Sequence, residues 1–160
     1  MTEDGAFRAK SVTHSATIWL AAPLERVFIF FTPIGEKQWA PGWEPEIVYP
    51  LDRDVTEGMV FKTKEKFGET FWVITEYDLA RHTVAYANVT PGYILNRIRI
   101  VCRDAGNETD ATVTYSHVAL GEEGNRFIER MDAAAYKAKM AHWTEAINYA
   151  LKMGRPMTHP

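Results

Sequence analysis

At 160 residues the chain has the length of one domain around one hydrophobic core. Its 18 basic and 21 acidic side chains leave a formal charge of −3, which excludes a broad electrostatic attraction to nucleic acid or to an anionic membrane. The single cysteine, Cys102, excludes an internal disulfide and a zinc site built on several thiolates.

Ser11 to Leu20 alternates, with His14, Ala16, Ile18 and Leu20 on one face and Thr13, Ser15, Thr17 and Trp19 on the other, as a half-buried strand does. Ala22-Pro23-Leu24-Glu25 then starts a short helix. Proline at its first position lacks only a donor that would be orphaned anyway, and Glu25 suits the positive end of the dipole. Thr32-Pro33-Ile34-Gly35 breaks it, and Glu36 to Ala40 forms one further turn before Pro41-Gly42.

Four strands are expected at Glu46 to Tyr49, Met59 to Phe67, Thr70 to Tyr77 and Thr83 to Asn88, with short connections that favour hairpins. Tyr93 to Arg103 and Ala111 to Leu120 follow, joined by Asp104-Ala105-Gly106-Asn107, which tolerates the positive φ of a tight turn. The pattern ends in one long amphipathic helix from Asn125, its candidate cap, to Met153, about 40 Å at 1.5 Å per residue and stopped by Gly154 and Pro156. The fold class is therefore α+β: about seven antiparallel strands curved around a long C-terminal helix, with two short helices after the first strand.

Three stretches carry more than periodicity: Ala16-Thr17-Ile18-Trp19-Leu20-Ala21-Ala22-Pro23-Leu24-Glu25-Arg26-Val27-Phe28, Lys37-Gln38-Trp39-Ala40-Pro41-Gly42-Trp43, and Glu57-Gly58-Met59-Val60-Phe61. Together with Glu76-Tyr77-Asp78 before Arg81, with Trp143, and with the order of elements, they resemble the START-like superfamily, also called SRPBCC, and its helix-grip fold. The resemblance covers nearly the whole chain and implies one domain over residues 1–160, with a core of about 11–153 and mobile tails. It also implies an internal hydrophobic cavity. Members bind lipids, sterols, plant hormones and aromatic polyketides, some are polyketide cyclases or aromatase-like enzymes, and others are chaperone cofactors. These motifs specify the fold, not the chemistry.

Alternation places a set of polar residues on the cavity side: His14 on the first strand, Asn88 beside Val84 and Tyr86, Asn96 beside Ile98, and Tyr115 and His117 beside Val113. Glu65 joins them if Met59, Phe61 and Thr63 face inward, whereas Thr70 to Tyr77 is too apolar on both faces to assign. Trp39 and Trp43, flanking Pro41-Gly42, either close one end of the cavity or anchor the helical pair. The expected ligand-binding set is thus Phe61, Val84, Tyr86, Asn88, Asn96, Ile98, Val113, Tyr115, His117, Trp39 and Trp43. The expected partner is a small hydrophobic or amphipathic molecule of the lipid or aromatic polyketide type.

The alternative is a cyclase- or dehydratase-like enzyme in which His117 or Glu65 moves a proton and Asn96 or Tyr115 stabilises a developing enolate. A protein-interaction role is a third reading. His142 is expected at the rim or surface, and Arg97 and Arg99 on the outer face. His14, His117 and His142 lack the close spacing of metal ligands, so no metal is expected, and no dinucleotide or phosphate motif implies a cofactor. Cys102 lies in an apolar run that keeps a thiol protonated, against a nucleophilic pair with His117. No segment reaches the roughly 20 apolar residues of a membrane span, and residues 1–10 lack the apolar stretch of a secretion signal, so a cytoplasmic monomer or homodimer is expected.

Overall fold

The computed structural model describes residues 5–158. The expectation of mobile tails falls partly on residues 1–4 and 159–160, outside that range. Seven strands form one antiparallel sheet: β1 (Ser11–Leu20), β2 (Glu46–Tyr49), β3 (Val60–Glu65), β4 (Gly68–Asp78), β5 (Thr83–Thr90), β6 (Ile94–Ala105) and β7 (Glu108–Ala119). Their spatial order is β1-β7-β6-β5-β4-β3-β2. All but one of the neighbours follow from hairpin connection; the exception is β1 beside β7, in register from Ser11 opposite Val118 to Leu20 opposite Thr109.

The chain leaves β1 through helix α1 (Leu24–Phe28) and two 3₁₀ turns, Ile29–Phe31 and Gly35–Gln38, before reaching the far edge of the sheet at β2. Pro23 is the cap residue of α1, one position before the expected one. Gly35 is required by close packing: a Cβ there would lie 1.8 Å from the Ile29 carbonyl oxygen. The second turn is thereby held against the first, and Glu36 follows at a fixed place.

The strand boundaries differ from expectation chiefly at the β6–β7 hairpin. Ala105 pairs with Glu108, so the turn is only Gly106-Asn107, with Gly106 at φ 81°, and β7 starts three residues before Ala111. Thr109, gained by this extension, is fully buried and donates to the Ala22 carbonyl at 2.8 Å, tying the hairpin to the start of α1. On β4 the pairing shifts between Ile74 and Glu76. This bulge turns Thr70, Trp72 and Ile74 inward and then brings Tyr77 to the same side, where its ring stacks on Phe28 at 5.9 Å. A strand that changes face midway has no single alternation, hence the ambiguity of Thr70 to Tyr77.

The expected single C-terminal helix is two: α2 (Glu122–Arg130) and α3 (Ala133–Met153). Met131 leaves helical geometry (φ −85°, ψ 66°), and Asp132 caps the second helix by accepting from the Ala135 N–H at 2.8 Å. The Met131 carbonyl, freed by the break, accepts from His14 Nε2 at 2.7 Å, and the His14 ring stacks on Tyr136. His14 thus lies on the inward face but fastens the helix break to β1. Asn125 is not a cap. It is buried inside α2, accepts from the Lys10 N–H and donates to the Arg8 carbonyl.

Helix α3, 21 residues and therefore about 31 Å, crosses the concave face and ends at Gly154 in the left-handed conformation, as expected. Asn148 clamps it to the end of β1 through the Ala21 N–H and the Trp19 carbonyl, and Arg26 of α1 donates to the Leu151 carbonyl at 2.6 Å. No helix among the described residues is long and apolar enough to cross a membrane.

Candidate functional site

Between sheet and α3 lies an inner cavity of about 30 Å³, walled by Phe31, Trp39, Trp43, Phe61, Trp72, Tyr86, Ile98, Ile100, Tyr115 and Trp143, with Glu36 as its one charged-type residue. That volume holds a water molecule, not a ligand. Aromatic packing fills the rest: Phe61 stacks on Trp72 at 5.3 Å, Trp43 meets Trp72 edge-on at 5.5 Å, and Trp39 meets Trp143 edge-on at 5.3 Å. The indole N–H groups of Trp39 and Trp43 donate to the carbonyls of Phe30 and Pro33, at 2.7 and 2.8 Å. Both tryptophans therefore anchor the helical pair and form the cavity wall at once. Tyr86 donates its hydroxyl to the Phe31 carbonyl and so does the same.

An open cleft of about 310 Å³ adjoins this cavity, and Trp72 and Tyr115 belong to both. Its walls come from the β3–β4 turn, the inward faces of β5 and β6, Phe127 of α2 and Lys139 of α3. Asn88 and Asn96 are presented to it, and Glu65 stands at its exposed edge, accepting from Thr63 Oγ1 at 2.9 Å. Beyond Glu65 a separate surface groove of about 420 Å³ carries Lys62, which pairs with Glu46 and Glu69 at 3.7 and 3.3 Å. Val84 and Val113 are fully buried and line neither the cavity nor the cleft.

Asn88, Asn96 and His117 lie directly opposite one another on β5, β6 and β7. Asn96 Nδ2 donates to Asn88 Oδ1 at 3.1 Å, which leaves Asn96 Oδ1 as an acceptor facing His117 Nδ1 at 2.6 Å. The imidazole proton therefore resides on Nδ1 and Nε2 is a bare acceptor. That Nε2 is buried and has no hydrogen-bond partner among the described residues. Burial, with the nearby Lys139 and His14, pulls the His117 pKa down to about 4, so the ring is neutral at neutral pH. It is held between Tyr115 and Phe127, behind the cleft wall.

Two residues of the site follow no strand alternation, Glu36 and Lys139. Burial pushes the Glu36 carboxyl up to about 8, against the opposing pull of Lys139, and burial pulls the Lys139 ammonium down to about 8, against the pull of Glu36. The Lys139 Nζ sits 3.7 Å from the centroid of Tyr115 and 5.9 Å from that of Trp143. One signal could have found it. Lys139 falls three residues after Tyr136 and four before Trp143, on the helix face that packs inward. Glu36 lies in a polar 3₁₀ turn, where no periodicity reports direction.

The remaining candidates separate. Cys102 is opposite Ala111 while His117 is opposite Asn96, six residues away along β6, so the two do not meet; burial pushes the thiol up to about 12. Arg97 and Arg99 are on the outer face, where Arg99 pairs with Glu76 at 3.3 Å, and His142 is exposed on α3. Among the described residues no group of three or more His, Cys, Asp or Glu side chains is placed to hold a metal ion.

No protein-family profile matches the sequence, and no curated protein matches it. Solved structures do resemble the fold. Norcoclaurine synthase from Thalictrum flavum, in complex with dopamine and hydroxybenzaldehyde, superposes with a TM-score of 0.63 at 13% identity, over 89% of this chain and 87% of that one. An uncharacterised protein of Rhizobium leguminosarum gives 0.65 at 14% identity over 91% and 97%, and Ara h 8.0201 gives 0.64 at 17% over 89% and 99%. At such identities the likeness speaks to architecture alone, and with the seven-stranded sheet gripping α3 it establishes that this chain has the helix-grip fold.

Proposed function

We propose that residues 11–153 act as one ligand-binding unit that takes a compact, amphipathic aromatic molecule in the cleft between β3–β6 and the terminal helices. The observation that carries this reading is the cleft's position against the aromatic inner cavity, with the rings of Trp72 and Tyr115 as the wall common to both. Rings line the inner end, while the amides of Asn88 and Asn96 offer hydrogen bonds at the side. At about 310 Å³ the cleft is at the lower end of small-molecule sites, which favours one or two fused rings over a long lipid chain or a multi-ring polyketide. Norcoclaurine synthase, which shares the fold, is a protein whose complex holds two ligands of the compact kind.

The test is native mass spectrometry of gently purified protein, followed by titration with naphthalene-sized aromatics and with palmitate. One compact molecule per chain, with no uptake of palmitate, is the expected result. Stoichiometric palmitate with no aromatic binding would replace this reading by lipid carriage.

A cyclase- or dehydratase-like reaction is favoured by one observation, the unpartnered Nε2 of a neutral His117. That atom is closed off from the cleft, so binding takes precedence. Turnover that is lost in His117→Gln while ligand affinity persists would support catalysis, and unchanged turnover would remove His117 from it.

A further inference from the structure

Lys139, a cation in the cleft wall, has no ion-pair partner among the described residues. No carboxylate among the described residues lies within 4.0 Å of the Lys139 Nζ, and its contacts are the faces of Tyr115 and Trp143. The two ring faces offset only part of the hydration that the half-buried ammonium gives up. The surrounding groups do not make up the difference. Glu36, whose field reaches Lys139, makes no ion pair with it, and burial pushes the Glu36 carboxyl up to about 8, towards its neutral form. His117 is neutral, and His14 is engaged with the Met131 carbonyl. At the mouth Glu65 and Lys66 carry opposite charges, and Glu65 is exposed.

Resting on the ligand-binding reading above, we propose that the ligand is an aromatic carboxylate. Its anionic group pairs with Lys139 and its ring lies against Tyr115 and Trp72. A ligand carboxylate supplies the ion-pair partner that Lys139 lacks at this end of the cleft. A neutral hydrophobe would leave the ammonium as it is in the free protein. It would gain only apolar burial.

Isothermal titration at pH 7 with 2-naphthoate and its neutral isostere 2-naphthamide separates these cases. The wild-type chain is expected to bind the carboxylate at least about tenfold more tightly, the range of a charge-assisted hydrogen bond. Lys139→Met is expected to bring the two affinities level, and Lys139→Gln, which keeps a polar head, provides the same readout should the Met variant fold poorly. Equal affinities in the wild-type chain, or a preference that survives both substitutions, would overturn the carboxylate assignment while naphthamide binding upholds the pocket. Failure of both compounds to bind would overturn the two readings together.

Discussion

The Nδ1 of His117 and the Oδ1 of Asn96 are 2.6 Å apart, and the donor that Asn96 gives to Asn88 decides which of the two carries the proton. Three side chains from three adjacent strands thus set one tautomer. Asn96→Asp places a carboxylate opposite the Nδ1–H and is expected to raise the His117 pKa by one unit or more, read from imidazole shifts in an NMR pH titration. Asn96→Ala leaves a buried donor unpaired and is expected to cost about 1–3 kcal/mol in urea unfolding.

Stability in mild acid follows from the same histidine. Its folded pKa of about 4 lies below the ordinary 6.5, so the unfolded chain binds the extra proton between those values. Stability from this group is complete above pH 6.5 and declines as pH falls towards 4, by a total on the order of 3 kcal/mol. Denaturant melts at pH 4, 5, 6 and 7 are expected to show this slope in the wild-type chain and a flatter one in His117→Gln.

Glu36 acts in the opposite sense. Its folded pKa, raised to about 8, means the native state retains a proton that the unfolded chain releases from pH 4.5 upward. The native state is therefore progressively disfavoured between pH 4.5 and 8. Glu36→Gln is expected to stabilise the protein at pH 7.5 by a few kcal/mol, on the order of the linkage cost, and to leave it unchanged at pH 4.5. Paired thermal melts at the two pH values provide the check.

Gly35 is expected to tolerate no side chain. Its Cβ would meet the Ile29 carbonyl oxygen, a backbone atom that cannot rotate away. Gly35→Ala should cost about 1–3 kcal/mol through overpacking and displace Glu36, which chemical denaturation and the loss of the Glu36-dependent pH slope would both register.

The break between α2 and α3 depends on two polar residues. Asp132→Ala removes the cap on Ala135 and is expected to cost about 1 kcal/mol. His14→Phe keeps the ring on Tyr136 but leaves the Met131 carbonyl without its donor. Hydrogen exchange of amides near the break is expected to accelerate in both variants, while the end of α3 held by Asn148 stays protected.

Much of the fold was legible because strands report their faces locally. Period-two alternation is imposed by backbone geometry, so Asn88, Asn96, Tyr115 and His117 could be assigned to the inward side before any partner was known. Where that geometry is interrupted, as by the β4 bulge, the same rule loses its phase. The helix break was illegible for a related reason. Apolar spacing continues through Met131, and the donor that stabilises the break, His14, is 117 residues away in the chain.

The sequence by itself determined the order of the seven strands and the short helical segments after the first, and the inward side of Asn88, Asn96, Tyr115 and His117, since these depend on propensities and periodicities confined to a few neighbouring residues. Only the tertiary structure decided that Tyr86, Trp39 and Trp43 direct their polar atoms to the backbone of residues 30–33, that Val84 and Val113 lie behind the walls, and that Glu36 and Lys139 face the site. Those outcomes are set by where a 3₁₀ turn and a helix a hundred residues apart come together, and by the water their meeting excludes.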